Sequence, residues 1–307
     1  MISSSNFPPP GTGSTGTRAW RGLFVVLTSA LLAAGGASAS DALPSILEAF
    51  DFSKDGGVQE KLPRVLEEVS GLTTTPEGRV LAHDDERAVV YELNPGGKVI
   101  KAFAAGIGGI RGDFEGIAAV EDRLFLVTSA GELLETIEGE DGSVVQYRIH
   151  PTSLHRLCEF EGLAYDPPTR SLLLPCKNTR TRELKDHVVV FSVSADSLRP
   201  YPVPRVFIPF EELTGVDLKA SFHPSGIEVH PETGRWILIS AQEESILEIS
   251  PEGTLLGGRR LHRKTHPQPE GITFPGDGSL LLADEGQGRR GRLTRYAARR
   301  GDGGNAP

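Results

Sequence analysis

The chain has 307 residues, enough for one large domain or two small ones, and its 24% charged and 38% hydrophobic residues exclude wholesale disorder. A net charge of −9 argues against a general nucleic-acid binder. The 36 glycines and 22 prolines suit many turns between short strands.

In chain order, Arg18 and Arg21 precede the apolar run GLFVVLTSALLAAGG (22–36), followed by Ala37-Ser38-Ala39. This is the form of a secretory signal peptide over 1–39, cleaved to leave a periplasmic or secreted chain. An uncleaved N-terminal anchor is the alternative, although the run is short for a full span. Without its two leader arginines the mature chain carries −11. No second hydrophobic segment is long enough to cross a membrane. Residues 40–58 read as a linker, with LPSILEAF (43–50) a candidate short helix.

From residue 59 a unit recurs. VSGLT (Gly71), FEGIA (Gly116), FEGLA (Gly162), PSGIE (Gly226) and PEGIT (Gly271) are spaced 45, 46, 64 and 45 residues apart. Each glycine leads through a turn to a second apolar run: VLAH, LFLVT, SLLLP, WILIS, LLLAD. An alternating strand comes next: VVYEL, ELLETI, HVVVFSV, SILEI, RLTRY. The first four units also have a fourth strand, such as KVIKAF (98–103). A period near 45 with four strands is that of a propeller blade. The fifth unit lacks its fourth strand, and open edges are a liability. QEKLPRVLE (59–67) lies where a preceding blade would end, so it is expected to complete the last one. The expectation is an all-β, five-bladed propeller over 59–298, closed by an N-terminal strand, with a disordered tail at 299–307. Six blades are the alternative, since the 64-residue step has room to hide part of one. NTRTRELKD (178–186) and PFEELTGVDLKASF (209–222) account for that step as insertions on one rim, the latter a candidate short helix.

The signature glycine is expected where strands crowd the axis. The residues before it, Ser70, Glu115, Glu161, Ser225 and Glu270, then ring one mouth of the channel. Loops between second and third strands reach the same mouth and bring Asp84, Asp85, Glu243, Glu244, Asp284 and Glu285. So many carboxylates require a cation, basic partners such as Lys177, Arg87 and Arg180, or raised pKa values. Oxygen ligands in an exported protein favour Ca²⁺ over zinc or copper. The competing readings are glutamates that staple neighbouring blades through backbone N–H groups, and acid/base catalysis.

The order VSGLT, DFEGIA, EFEGLAYDP, HPSGIEVHPETG, ISAQEESILEISPEG, QPEGITFPGDGSLLLADE resembles the SdiA-regulated (YjiK-like) proteins over about residues 68–296. The resemblance implies a bacterial, exported five-bladed propeller, distantly similar to NHL-repeat propellers, with a calcium site and no firmly established activity. It carries the metal site onto Glu115, Glu161, Glu270, Asp284 and Glu285. Ser70 and Ser225 depart from the glutamate pattern.

Other chemistry finds less support. No G-x-S-x-G elbow is present, and Ser225 near His223 lacks a placed acid. Cys158 and Cys176 suit either a disulfide across a hairpin or two buried thiols. The basic stretch RRLHRKTH (259–266) has two readings, a contact for an acidic envelope component and, favoured, an outer strand blunted by charge. Trp236 is expected in the core. The sequence therefore points to a monomeric binding or scaffolding module of the cell envelope, for an unknown ligand or envelope protein, with Ca²⁺ as its cofactor. The second reading is a metal-dependent ester or lactone hydrolase, because phytase-like esterases carry a similar EGIA signature. Glu161 or Glu270 would be its base and Lys177 an electrostatic helper.

Overall fold

Residues 44–299 are described in the computed structural model. The expected leader (1–39) and residues 300–307 of the expected tail lie outside the described residues. The strands run β1 (Val58–Lys61), β2 (Val69–Thr74), β3 (Val80–Asp84), β4 (Val89–Leu93), β5 (Val99–Ala105), β6 (Phe114–Val120), β7 (Arg123–Thr128), β8 (Leu133–Ile137), β9 (Val144–Val145), β10 (Tyr147–His150) and β11 (Cys158–Phe160). They continue with β12 (Ala164–Asp166), β13 (Ser171–Thr179), β14 (His187–Ser194), β15 (Val206–Pro209), β16 (Gly226–Val229), β17 (Trp236–Ser240), β18 (Ser245–Ile249), β19 (Leu255–Arg260), β20 (Pro269–Thr273), β21 (Leu280–Asp284) and β22 (Arg292–Tyr296).

These strands form five sheets, the five expected blades. Blade one is β2-β3-β4-β5, with β9 added in parallel at its outer edge. Blade two is β6-β7-β8-β10, and blade four is β16-β17-β18-β19. In blade three the inner strand is broken into β11 and β12, both pairing with β13, followed by β14 and β15. Blade five is β20-β21-β22-β1: the N-terminal strand closes the ring, with Gln59 opposite Thr294. β1 is shorter than the expected 59–67. Pro63 has no N–H to continue a ladder, and the chain turns into a 3-10 segment at Arg64–Leu66.

The second strand of each blade is a continuous apolar run because both of its faces are buried between blades. In β17, Trp236 and Leu238 pack toward blade three, while Ile237 and Ile239 pack toward blade five. The same division places Leu172 and Leu174 of β13 with Phe125 and Val127 of blade two, and Leu173 with blade four. Five such interblade cores hold the ring. At about 25 cal/mol per Å² of apolar surface, this repeated burial is the dominant stabilising term.

Two segments pack more closely than their sequence suggests. In the expected linker, the 3-10 turn Ile46–Ala49 buries Leu47, and Phe50 joins the core between blades four and five. Ser45 donates to Glu248, whose other oxygen pairs with Arg235 at 2.6 Å. The insertion at 209–222 does contain a short helix, the 3-10 segment Phe210–Val216. It is not a free rim, because Leu213, Leu218 and Phe222 are buried in the core between blades three and four. Cys158 and Cys176, on paired strands of blade three, form a disulfide with Cα atoms 5.6 Å apart.

Candidate functional site

The five signature glycines meet around the axis. A Cβ on Gly116 would lie 2.5 Å from the Gly162 carbonyl carbon, one on Gly162 would lie 2.9 Å from Gly226 Cα, and one on Gly226 would lie 2.6 Å from the Glu270 carbonyl oxygen. Gly271 in turn crowds Leu72, and Gly71 crowds His83 with Gly116 beyond. Between these strands the axis holds a cavity of only about 10 Å³. That is room for one water at most, and the crowded glycines divide the ring into two mouths.

The residue before each glycine is aimed by a local break in pairing. In β2, β6 and β20 the ladder slips by one residue at Ser70, Glu115 and Glu270, each flanked by residues that pair normally. These are β-bulges, which leave the extra residue unpaired and re-aim its side chain. In blade three the break is wider. Glu161 and Gly162 lie between β11 and β12, and Gly162 has φ +100°, a conformation open to glycine. Ser225 precedes β16 and is consumed by main chain: its hydroxyl donates to the Pro269 carbonyl at 2.6 Å and accepts from Ala241 N–H at 3.0 Å.

The mouth is therefore lined by Glu115, Glu161 and Glu270, all largely buried. Ser70 Oγ donates to Glu115 at 3.2 Å, Gln268 Nε2 donates to Glu270 at 2.8 Å, and Lys177 Nζ forms an ion pair with Glu161. Burial, with the charge of Glu161 next, pushes the Glu115 carboxyl up to about 8. The same two causes raise Glu270 well above the usual range. Burial also raises Glu161, against the pull of Lys177. Burial works against the Lys177 charge as well, but Glu161, Glu115 and Glu270 outweigh it and hold the ammonium above its ordinary value.

The acidic field extends along the loops. Burial, with the charge of Glu68 next, raises the Glu285 carboxyl, and the charge of Glu285 helps to raise Glu270. Asp85 is pushed up to about 6 by burial, then by Glu68, Asp84 and Glu285, and its buried Oδ1 has no hydrogen-bond partner. Glu115, Glu161 and Glu270 thus act on one another, Glu285 acts on Glu270, and Asp85 lies further along the loops beside Glu68, Asp84 and Glu285.

The remaining candidates go elsewhere. Asp284 is fully buried and accepts from His266 Nδ1 at 2.8 Å, while His266 Nε2 meets Tyr296 Oη at 2.6 Å. Its carboxylate ties the long loop after β19 to blade five. Asp84 accepts from the N–H groups of Glu86 and Arg87, Glu243 holds His223 and Ser240, and Glu244 pairs with Arg263 at 3.0 Å. Arg87 and Arg180 donate to the carbonyls of Gly108 and His155. Lys177 is thus the one of the three expected basic partners that faces the carboxylates. Sequence reasoning misses Glu68, Asp113 and Gln268. A signal is present, because the position two residues before each signature residue is polar in all five units: Glu68, Asp113, Glu159, His223 and Gln268.

Among the described residues, no three Asp, Glu, His or Cys side chains stand close enough together to hold a metal ion as placed. The donor set still fits a hard cation: it is all oxygen, one buried oxygen is orphaned, and one ammonium faces several carboxylates.

Solved structures match this chain at low identity. The glutaminyl cyclase of Myxococcus xanthus aligns over 78% of this chain and 94% of its own, with TM-score 0.53 and 16% identity. A luciferin-regenerating enzyme aligns over 79% and 96%, with TM-score 0.49 and 13% identity. The likeness to the glutaminyl cyclase speaks to the fold alone. A search of the curated proteins gave no match. The family model for SdiA-regulated proteins matches residues 55–287, and the chain belongs to the SdiA-regulated family.

Proposed function

We propose that the protein is an exported binding module of the cell envelope whose working centre is the glutamate mouth, and that this mouth takes Ca²⁺. The observation that carries the reading is the convergence of Glu115, Glu161, Glu270 and Glu285 on a buried mouth with one ammonium, Lys177, among them. Several raised carboxyl pKa values in one place mark a site that is short of positive charge. A divalent cation supplies that charge. Glu115, Glu161 and Glu270 are the groups that would hold it, the cation taking over the compensation that Lys177 gives them. The Cys158–Cys176 disulfide supports an oxidising compartment.

A metal-dependent ester or lactone hydrolase is the second reading. It draws on Glu115, whose carboxyl at about 8 is poised to exchange a proton near neutral pH beside a partly exposed lysine.

Thermal unfolding in excess EDTA and then in millimolar Ca²⁺ tests the first reading. A site saturated a hundredfold over its Kd adds about 2.7 kcal/mol, roughly 5–10 °C for a domain of this size. Glu115→Gln with Glu161→Gln should abolish the rise. No rise in the unaltered protein would overturn the cation reading and leave the glutamates as staples between blades.

A further inference from the structure

The other end of the ring carries the larger hollow. Where the inner strands end and turn outward, all five blades contribute to a cavity of about 840 Å³. That is within the size range of small-molecule sites, and the crowded glycines separate it from the glutamate mouth.

Its floor is polar and connected. Thr74 and Thr273 share a hydroxyl–hydroxyl bond of 2.7 Å, and Thr273 donates onward to Glu228 Oε2 at 3.0 Å. The other Glu228 oxygen accepts from the Val229 N–H at 2.8 Å. Among the described residues, no Lys, Arg or His pairs with Glu228, which sets it apart from Glu248 on Arg235 and Glu138 on Arg79 and Lys101. Burial pushes its carboxyl up to about 7, so the ionised form stands to gain from an incoming cation.

The walls are apolar and aromatic, from Tyr165, Pro168 and Phe274. Arg170 is the cationic side chain at the rim, and it is already held at 2.8 Å by both Glu121 and Asp196. His230 packs edge-on to Phe274 at 4.8 Å, and burial lowers its pKa, which keeps the ring neutral. An anion would find no free counter-charge here and would face Glu228. A ligand ammonium would find a carboxylate, threonine oxygens for its other N–H groups, and aromatic faces that favour cations.

We propose that this second mouth is a binding site for a small organic amine, its ammonium seated on Glu228 and its apolar body between Tyr165 and Phe274.

Titration calorimetry on the full chain tests this with phenethylamine and 1,5-diaminopentane as probes, against 2-phenylethanol and 3-phenylpropionate. Saturable binding of at least one amine is expected, at least tenfold weaker for the alcohol and absent for the carboxylate. Glu228→Gln should weaken the amine at least tenfold, and Glu60→Gln, on exposed β1, should not. Gly276→Phe offers a second route: the space around a Cβ there is open, so the ring fits and obstructs the cavity while Glu228 stays intact. It too should weaken the amine at least tenfold. Absence of saturable amine binding, equal binding of amine and carboxylate, or full affinity in Glu228→Gln or Gly276→Phe would each overturn the proposal. Because the titrations are run in EDTA, failure of the Ca²⁺ reading leaves this result standing.

Discussion

Gly116 and Gly162 meet backbone to backbone: the Gly162 N–H donates to the Glu115 carbonyl at 2.5 Å, and a methyl at Gly116 would overlap the Gly162–Leu163 peptide. Backbone cannot yield as a flexible side chain can, so Gly116→Ala should push two blades apart. The expected cost is about 2–4 kcal/mol, at the upper end for overpacking. Gly215→Ala, where a Cβ meets nothing within 4 Å, should stay within about 0.5 kcal/mol. Urea unfolding of the two variants measures the difference, and equal midpoints would contradict the crowded axis.

The same crowding explains what the sequence could disclose. A stereochemical demand for glycine recurs once per blade, so it prints a period, and the period with the missing fourth strand yields the ring and its closure by β1. The bulges at Ser70, Glu115 and Glu270 leave no such print, because a bulge is a mismatch between two strands and not a property of one. Asp284 shows the same limit. In the sequence it looks like a loop acid at the mouth, yet its partner His266 arrives from another connection, and only the fold brings the two within 2.8 Å. The cavity around Glu228 is equally illegible in the sequence, since it is assembled from turns of every blade with no shared motif.

Closure by β1 gives a second expectation. All four residues of Val58–Lys61 are exposed, so the strand contributes mainly through its ladder with β22 and by covering that edge. Removing residues 59–67 also takes Leu62 and Leu66 from the core between blades five and one. Scanning calorimetry should show a lower and broader transition, and size-exclusion chromatography should show association through the bared edge. A melt matching that of the intact chain would refute the closing role.

The disulfide supplies a third. Cys158 and Cys176 are separated by 18 residues. Closing a loop of that size should stabilise by roughly 3 kcal/mol through the unfolded chain. The double serine variant should lose about this much by chemical denaturation, and reduction of the unaltered protein should lose the same. A much smaller loss would mean that the interblade core at Phe160 and Phe191 holds blade three without the bridge.

Lys177 is the fourth. Replacing it by methionine leaves Glu161 buried without its ammonium, at an expected cost of about 1–3 kcal/mol at pH 8 in EDTA. The gap should narrow as the pH falls, because burial raises the Glu161 carboxyl above its ordinary value and the protonated form needs no partner. If Ca²⁺ takes over the compensating role, millimolar Ca²⁺ should restore more stability to Lys177→Met than to the unaltered protein. Equal Ca²⁺ responses would separate Lys177 from any cation site.

Glu228 provides the fifth, with a definite sign. Burial raises its folded pKa from 4.5 to about 7, so the folded state binds the proton more tightly than the unfolded chain does. Its favourable contribution is therefore complete below about pH 4.5 and is lost as pH rises through 7. The full swing is at most about 3–4 kcal/mol, since a tenfold change in proton affinity is worth about 1.4 kcal/mol. Glu115 and Asp85 titrate over overlapping ranges, so the total slope does not isolate Glu228. The difference between the unaltered protein and Glu228→Gln does. Glutamine keeps an acceptor for Thr273, gives up the one for the Val229 N–H and cannot ionise, so whatever that lost bond costs, the variant should gain on the parent between pH 4.5 and pH 8. Urea midpoints at the two pH values decide the matter: a constant difference between the proteins would mean that the floor carboxylate is not held in its neutral form.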